Sequence, residues 1–499
     1  MICNLILKNP VYPLRFLQSI LLPFLFAAFA AKGQDMPGIV TDSQSGINRA
    51  MINPAAVFAN PWCFDVSLFT TSGGFQNNYY RTDLTTIRPL AIFGNQPSAN
   101  LFQGDLFPED PLPAGDYAYQ HFRMNGPAFR FTFNQHSIGF ISGIRNVSHI
   151  HNIPSNIVTF FVEGLSYPSL QDIVFSEPVP SAAASMGWTE VGLTYAVNLT
   201  HNGSSSDKIV AGITAKRLWG IQSVSIQADE ITYGVHSDRN VQIDNVNASL
   251  QFALPLAQDQ FQVTTEDLIK GRGMAFDLGM SWIKPPYQDI RPHSGRLYER
   301  NTPQPYDFMA GVSLLDLGAI SWQQNTRTIE VQDAVLVYEN PSLGDYNNLD
   351  EMVQDLQNRL INGSIENTSN EEYWLYLPTA LSMQADYYAG RNVFLGLLLI
   401  QDLPLFQPRV ARPSQLIFTP RYETSWFSVS APVSFYRYRQ LRPGLAFRLG
   451  FFTIGTNIAN DLFTPSSVSG FDLYFSFHWK IKNCRKNNWG GNPCFDSWR

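Results

Sequence analysis

The sequence predicts an all-β protein: a single transmembrane antiparallel β-barrel of about 14 strands with a short N-terminal plug segment. Three observations predict it. Near the C-terminal end Phe471, Leu473, Phe475, Phe477 and Trp479 alternate with Asp472, Tyr474, Ser476 and His478, and a period of two is a strand with unlike faces. Segments of this kind recur along the chain, many of them about 9–11 residues long, which is what a tilted strand needs to cross a bilayer. Charged residues make up only 15% and aromatics 13% of the 499 residues. Beyond the extreme N-terminus no run of about 18 apolar residues offers a spanning helix.

Residues 1–33 read as an export signal. Lys8 and Arg15 are the only charges ahead of the apolar stretch from Phe16 to Ala31, and Ala28-Phe29-Ala30 and Ala31-Lys32-Gly33 both suit cleavage. A retained membrane anchor is the other reading of that stretch. Removing 1–33 takes away Lys8, Arg15 and Lys32 and no acid, so the net charge of −7 becomes −10. A chain that acidic has no basic footprint for nucleic acid. In the plug segment, 34–62, Asn53-Pro54-Ala55 reads as a helix start, because Asn caps free amides and Pro suits the first helical position. Pro61 ends the short helix.

From Cys63 onward the text is mostly β, and the barrel is expected over 63–482. Val191, Leu193, Tyr195, Val197 and Leu199 form one apolar face; after the turn HNGSSSD, Ile209, Ala211, Ile213 and Ala215 form the next. A second hairpin joins Leu381, Met383, Ala385 and Tyr387 through YAGRN to Val393, Leu395, Leu397 and Leu399. PAFRFTFN (127–134), MAFDLGMSW (274–282), YDFMAGVSLL (306–315), WFSVSAPVSF (426–435) and GLAFRLGFF (444–452) alternate likewise, and 137–145, 221–233, 240–254 and 413–422 do so more weakly. All are counted toward the wall. Opposite the apolar positions stand Arg130, Asp277, Asp386, Arg448 and Asp472. A soluble sandwich exposes its polar face, whereas here the polar face carries lone charges and small residues, as a lumen does. Trp219, Trp282, Trp322, Trp426 and Trp479 fall near strand ends, as girdles at the lipid headgroups do.

One stretch is not β. NLDEMVQDLQNRL places Leu349, Met352, Val353, Leu356 and Leu360 on one helix face, inside an insertion over 339–376 that reads as a loop decoration. In the tail, 483–499, Cys484 and Cys494 could close a small loop in an oxidising compartment, leaving Cys63 alone, or persist as two thiols.

The runs GMAFDLGMSW, MAGVSLLDLGAISW, YLPTALSMQADYYAGRNVFLGLLL and PGLAFRLGFFTIGTNIANDLF, closed by SGFDLYFSFHWKI, resemble a Bacteroidota-type family of uncharacterised outer-membrane barrels. Asn53-Pro54-Ala55 is similar to the Asn-Pro-Ala element of long-chain fatty-acid transporters (FadL-like barrels). That resemblance implies the cell outer membrane, a hatch over 34–62 inside the lumen, and passage of hydrophobic solutes through a pocket and a lateral opening. Relatives in the same style serve type IX secretion as scaffold barrels. The tail beyond the last strand departs from the usual pattern.

No Gly-rich phosphate loop, CxxC or HExxH is present. His149 and His151 lack an evident third metal ligand, and a solvated loop is the simpler reading. Ser476 and His478 share a strand face, as a lipid-facing hydrolase pair would, but nothing nearby reads as an oxyanion hole. No enzyme activity, metal or cofactor is therefore expected. Two functional readings stand: passive transport of a hydrophobic or amphipathic small molecule, or a non-enzymatic scaffold that binds a secretion or surface protein.

Overall fold

The computed structural model describes residues 35–78, 116–154, 156–157, 168–177, 180–200, 207–237, 240–257, 260–263, 268–286, 305–339, 349–459 and 470–483. The expected export signal and the tail cysteines Cys484 and Cys494 lie outside the described residues.

A closed antiparallel barrel of 14 strand positions forms the body. It starts with β1 (Trp62–Asn77), followed by β2 (Asp116–Asn125) and β3 (Ala128–Phe133), which share one position, and by β4 (His136–Ile153). After the short β5 (Ile173–Glu177) come β6 (Ser181–Asn198) and β7 (Lys208–Ser237). The strands β8 (Asn240–Ala253), β9 (Leu256–Ala257) and β10 (Gln260–Val263) leave the wall, and β11 (Gly271–Lys284) and β12 (Phe308–Trp322) resume it. A second excursion holds β13 (Thr326–Glu339) and β14 (Leu360–Ser369). Then β15 (Tyr373–Tyr376) and β16 (Ala380–Gly390) share a position, followed by β17 (Val393–Asp402) and β18 (Gln415–Glu423). β19 (Phe427–Ser430) with β20 (Val433–Tyr436), and β21 (Gln440–Pro443) with β22 (Leu445–Leu449), are two more interrupted positions. β23 (Phe452–Thr456) leads to β24 (Gly470–Asn483), which pairs with β1 from Trp62↔Asn483 to Gln76↔Gly470 and closes the ring.

The side chains are inside out relative to a water-soluble protein. Along β11, Met274 (51% exposed), Phe276, Leu278, Met280 and Trp282 point outward, while Asp277 (2%) and Ser281 point in. On β24 the polar residues Asp472, Ser476 and His478 are buried, and Trp479 is exposed. Large apolar side chains outside and charges inside are stable only where hydrocarbon covers the outside. Trp282, Trp426 and Trp479 are exposed at one end of the barrel, an interfacial belt. Trp322 corrects the expectation for that belt: it is fully buried at the other end and packs inward with Leu218, Ile320 and Leu375.

The belt end carries short turns, such as 134–135 and 391–392, with the connection from Lys284 to Phe308 the exception. The opposite end, the loop end, carries the long connections, as outer-membrane barrels do on one side. There β7 continues past the wall and pairs with β8, β8 with β13, and β13 with β14. So 240–254 is a strand of an outlying sheet rather than of the wall, while within 221–233 the residues up to Ala228 still pair with wall strand β6 and only those beyond it leave the wall; β1 and β2 supply wall positions that alternation did not single out. Likewise the insertion 339–376 is more than a loop. Its helix is present at Leu349–Asn358, and β14 extends the outlying sheet, with Gln357 Nε2 donating to the Ile365 carbonyl at 2.9 Å.

Residues 35–61 enter the lumen. They form a helical turn at Pro37–Val40 and 3-10 turns at Gly46–Met51 and Pro54–Phe58, and every residue from Asp35 to Ala50 is buried.

Candidate functional site

The lumen is filled from two sources. Residues 35–61, called the hatch below, occupy one part. Asn53 holds an extended backbone, and its side-chain oxygen accepts from Ala55 N at 2.8 Å, a cap for the turn that Pro54 begins. Its Nδ2 donates to the Met280 carbonyl at 3.0 Å. The hatch lies so near the wall that a Cβ on Gly212 would stand 2.4 Å from Ala55 N, and one on Gly279 would stand 2.2 Å from Asn53 Oδ1. Bare backbone on β7 and β11 is what admits it.

Charged wall residues hold the rest of the hatch. Arg448 Nε donates to Asp42 at 2.8 Å, and Arg412 to Asp35 at 2.5 Å. Glu423 accepts from Ser43 Oγ at 2.5 Å. Arg130 donates to Asp65, whose other oxygen accepts from Ile47 N at 2.9 Å. Asp386 accepts from Tyr306 at 2.6 Å and from Arg421, and stands 3.9 Å from hatch Arg49. Burial alone would raise the Asp42 carboxyl, but Arg448 and Lys480 outweigh it and hold the group well below the usual carboxylate range.

The wall itself fills the other part. Arg145 makes a bidentate pair with Asp316 at 2.8 and 2.9 Å, and Lys216 bridges Asp316 and Asp277, at 2.8 Å to each. Glu190 accepts from Trp188 Nε1 at 3.1 Å. A bulge in the β11–β12 ladder places Asp316 here: its φ is 55°, and its N–H donates to Asp277 at 2.7 Å. Val410, in the connection between β17 and β18, joins the apolar cluster around Trp188 and Trp322.

Of the charges expected in the lumen, Arg130, Asp386 and Arg448 thus stand at the hatch and Asp277 in the wall network. Asp35, Asp42, Arg145, Lys216, Asp316 and Arg412 share these sites and were not singled out by alternation. Asp35 and Asp42 lie in the hatch and Arg412 in a loop, where no period marks a charge, whereas Arg145, Lys216 and Asp316 lie on β4, β7 and β12. His149 accepts from Ala411 N at 3.1 Å, and His151 is exposed. No cluster of metal-binding side chains occurs among the described residues. Ser476 and His478 part company: Ser476 bonds Thr70 at 2.7 Å, and His478 lies 3.1 Å from Asp65. Cys63 is not alone, as expected, but disulfide-bonded. The other cysteines, Cys3, Cys484 and Cys494, lie outside the described residues.

A single family, described as "Family of unknown function (DUF5723)", matches residues 54–457, which cover the last hatch turn and nearly all of the wall. The chain belongs to DUF5723. No curated protein matches it in sequence. Among solved structures it is similar to the toluene transporter TbuX of Ralstonia pickettii, at 8% identity over 91% of this chain and 100% of that one, with a TM-score of 0.32. The toluene transporter TodX of Pseudomonas putida gives 9% identity over 91% and 97%, with a TM-score of 0.32. The ferric yersiniabactin uptake receptor FyuA of Yersinia pestis gives 7% over 78% of this chain, with a TM-score of 0.22, and the chain spans 49% of its length. Likeness this slight says nothing about function.

Proposed function

We propose that the protein is an outer-membrane channel, shut at rest, that passes a hydrophobic or amphipathic small molecule when the hatch shifts. The observation that carries this reading is a seam in the wall behind the hatch. Pro420 on β18, Pro432 between β19 and β20, and Pro443 on β21 lie within one residue of the same level. A prolyl nitrogen donates nothing to a ladder, so three neighbouring strand positions each lack a donor there. The turn Pro37–Val40 backs the seam from inside, against β18, β22 and β23. A Cβ on Gly38 would stand 2.3 Å from that of Ala446. Moving this turn uncovers the wall where three neighbouring positions lack a donor, although the Pro420, Pro432 and Pro443 carbonyls still accept from Ala431, Gly444 and Ala459, and an exit into lipid suits a molecule with an apolar body.

The test is uptake of a fluorescent amphipathic probe into liposomes that contain the full chain. Gly38→Leu drives the turn off the wall and is expected to speed uptake several-fold, with the shift in gel migration on boiling retained as evidence of a closed barrel. Uptake equal to that of the unaltered chain, with the shift retained, would overturn the proposal. The outlying sheet supports a second reading, a scaffold that docks a surface protein, since it leaves Ile361 and Val174 exposed. A detergent extract that yields no stoichiometric partner would count against it.

A further inference from the structure

We propose that two arginines on the outer face of the wall, Arg217 and Arg272, hold the phosphate of an anionic lipid in the leaflet at the loop end. On β11 the outward side chains run from Trp282 at the belt end through Met280, Leu278, Phe276 and Met274, and the next is Arg272. On β7 they run through Ile209, Ile213 and Ala215 to Arg217. At a strand tilt of about 40° the step from Trp282 to Arg272 climbs roughly 26 Å, close to the roughly 25 Å apolar band of such barrels. Trp282 marks one surface of the bilayer, so Arg272 stands among the headgroups of the other.

Register brings the two side chains together. Arg217 pairs with Met274 and Arg272 with Trp219, so the arginines are diagonal neighbours on adjacent strands, with Cα atoms roughly 7–8 Å apart. The row of Trp219 and Arg272 continues to Ser321 and then to the exposed Trp374, which leaves a tryptophan on either side. Both arginines are exposed, and among the described residues neither makes an ion pair or hydrogen bond. The neighbouring acid, Glu372, accepts from Ser321 Oγ at 2.5 Å instead. Two unmatched guanidiniums at the edge of hydrocarbon call for an anion, and their planar forks suit phosphate oxygens. Met274 and Ala215 continue the lipid-facing wall directly below them, so the phosphate that fits is one carried on acyl chains. Indole rings at headgroup level flank such a group. The site does not depend on the hatch, the seam or transport.

Native mass spectrometry of the full chain in a neutral detergent tests this. The probes are dioleoyl phosphatidate and dioleoyl phosphatidylcholine in equal amounts, with inorganic phosphate as the free anion. Retention of phosphatidate over phosphatidylcholine is expected. Arg217→Gln and Arg272→Gln should each lower it about fivefold, the worth of one basic residue at a membrane surface. Arg439→Gln, which removes an exposed arginine from the turn between β20 and β21, should leave it unchanged. All three variants should keep the shift on boiling. Equal retention of the two lipids, no loss in Arg217→Gln and Arg272→Gln, or the same loss in Arg439→Gln would overturn the proposal. Displacement of phosphatidate by inorganic phosphate at the same concentration would make this a site for a free anion and overturn it as well.

Discussion

The two fillings of the lumen differ in how they are attached. On the wall-filled side, Arg145, Glu190, Lys216, Asp277 and Asp316 all belong to strands of the barrel, and Trp188 and Trp322 pack beside them. No part can leave without opening the wall. On the other side the same kinds of bond, Arg448 to Asp42 and Arg412 to Asp35, join the wall to a chain segment that, among the described residues, is tied to it by sequence at Trp62 alone. Under the proposed function, similar chemistry gives a fixed filling in one place and a removable one in the other. Connectivity, rather than bond strength, decides which can move.

Breaking this contrast is most costly on the fixed side. Lys216→Met leaves Asp277 and Asp316 buried side by side, and breaking a buried pair in this way costs about 3–5 kcal/mol. The guanidinium midpoint of unfolding should fall sharply while probe uptake stays unchanged. Asp42→Asn acts on the removable side, where the hatch can withdraw from an unmatched Arg448. The loss should be about 1–3 kcal/mol, seen as faster proteolysis within 35–61 with little change in the unfolding midpoint. The smallest effect is that of mild acid. Asp42 is depressed on docking, so its contribution is complete above the usual carboxylate range and is lost only as pH falls below it. Asp42 alone predicts the same proteolysis of the hatch at pH 7 and pH 5; a release at pH 5 that Asp42→Asn abolishes would show that Arg448 does not hold Asp42.

Much of the wall was legible because lipid and lumen impose opposite demands on alternate residues. GMAFDLGMSW shows this: Met274, Phe276 and Leu278 face out, and Asp277 faces in. The cap at Asn53 was legible because capping is local. Pairings across the lumen were not. Arg145 and Asp316 are 171 residues apart, and Asp316 depends on a bulge that alternation cannot reveal. The same limit hid the destination of β7, whose pattern runs on past the wall into the outlying sheet because both settings reward alternation. Trp322 carried the right residue type for a girdle, but facing is set by register, and its register turns it inward.

The most direct measurement is planar-bilayer conductance of the chain lacking residues 35–61, beside the full chain and Lys216→Met. A removable hatch predicts a steady open current for the deletion alone, with the other two closed. A deletion that folds, shifts on boiling and still carries no current would contradict the account, because the wall would then seal the lumen without help from the hatch.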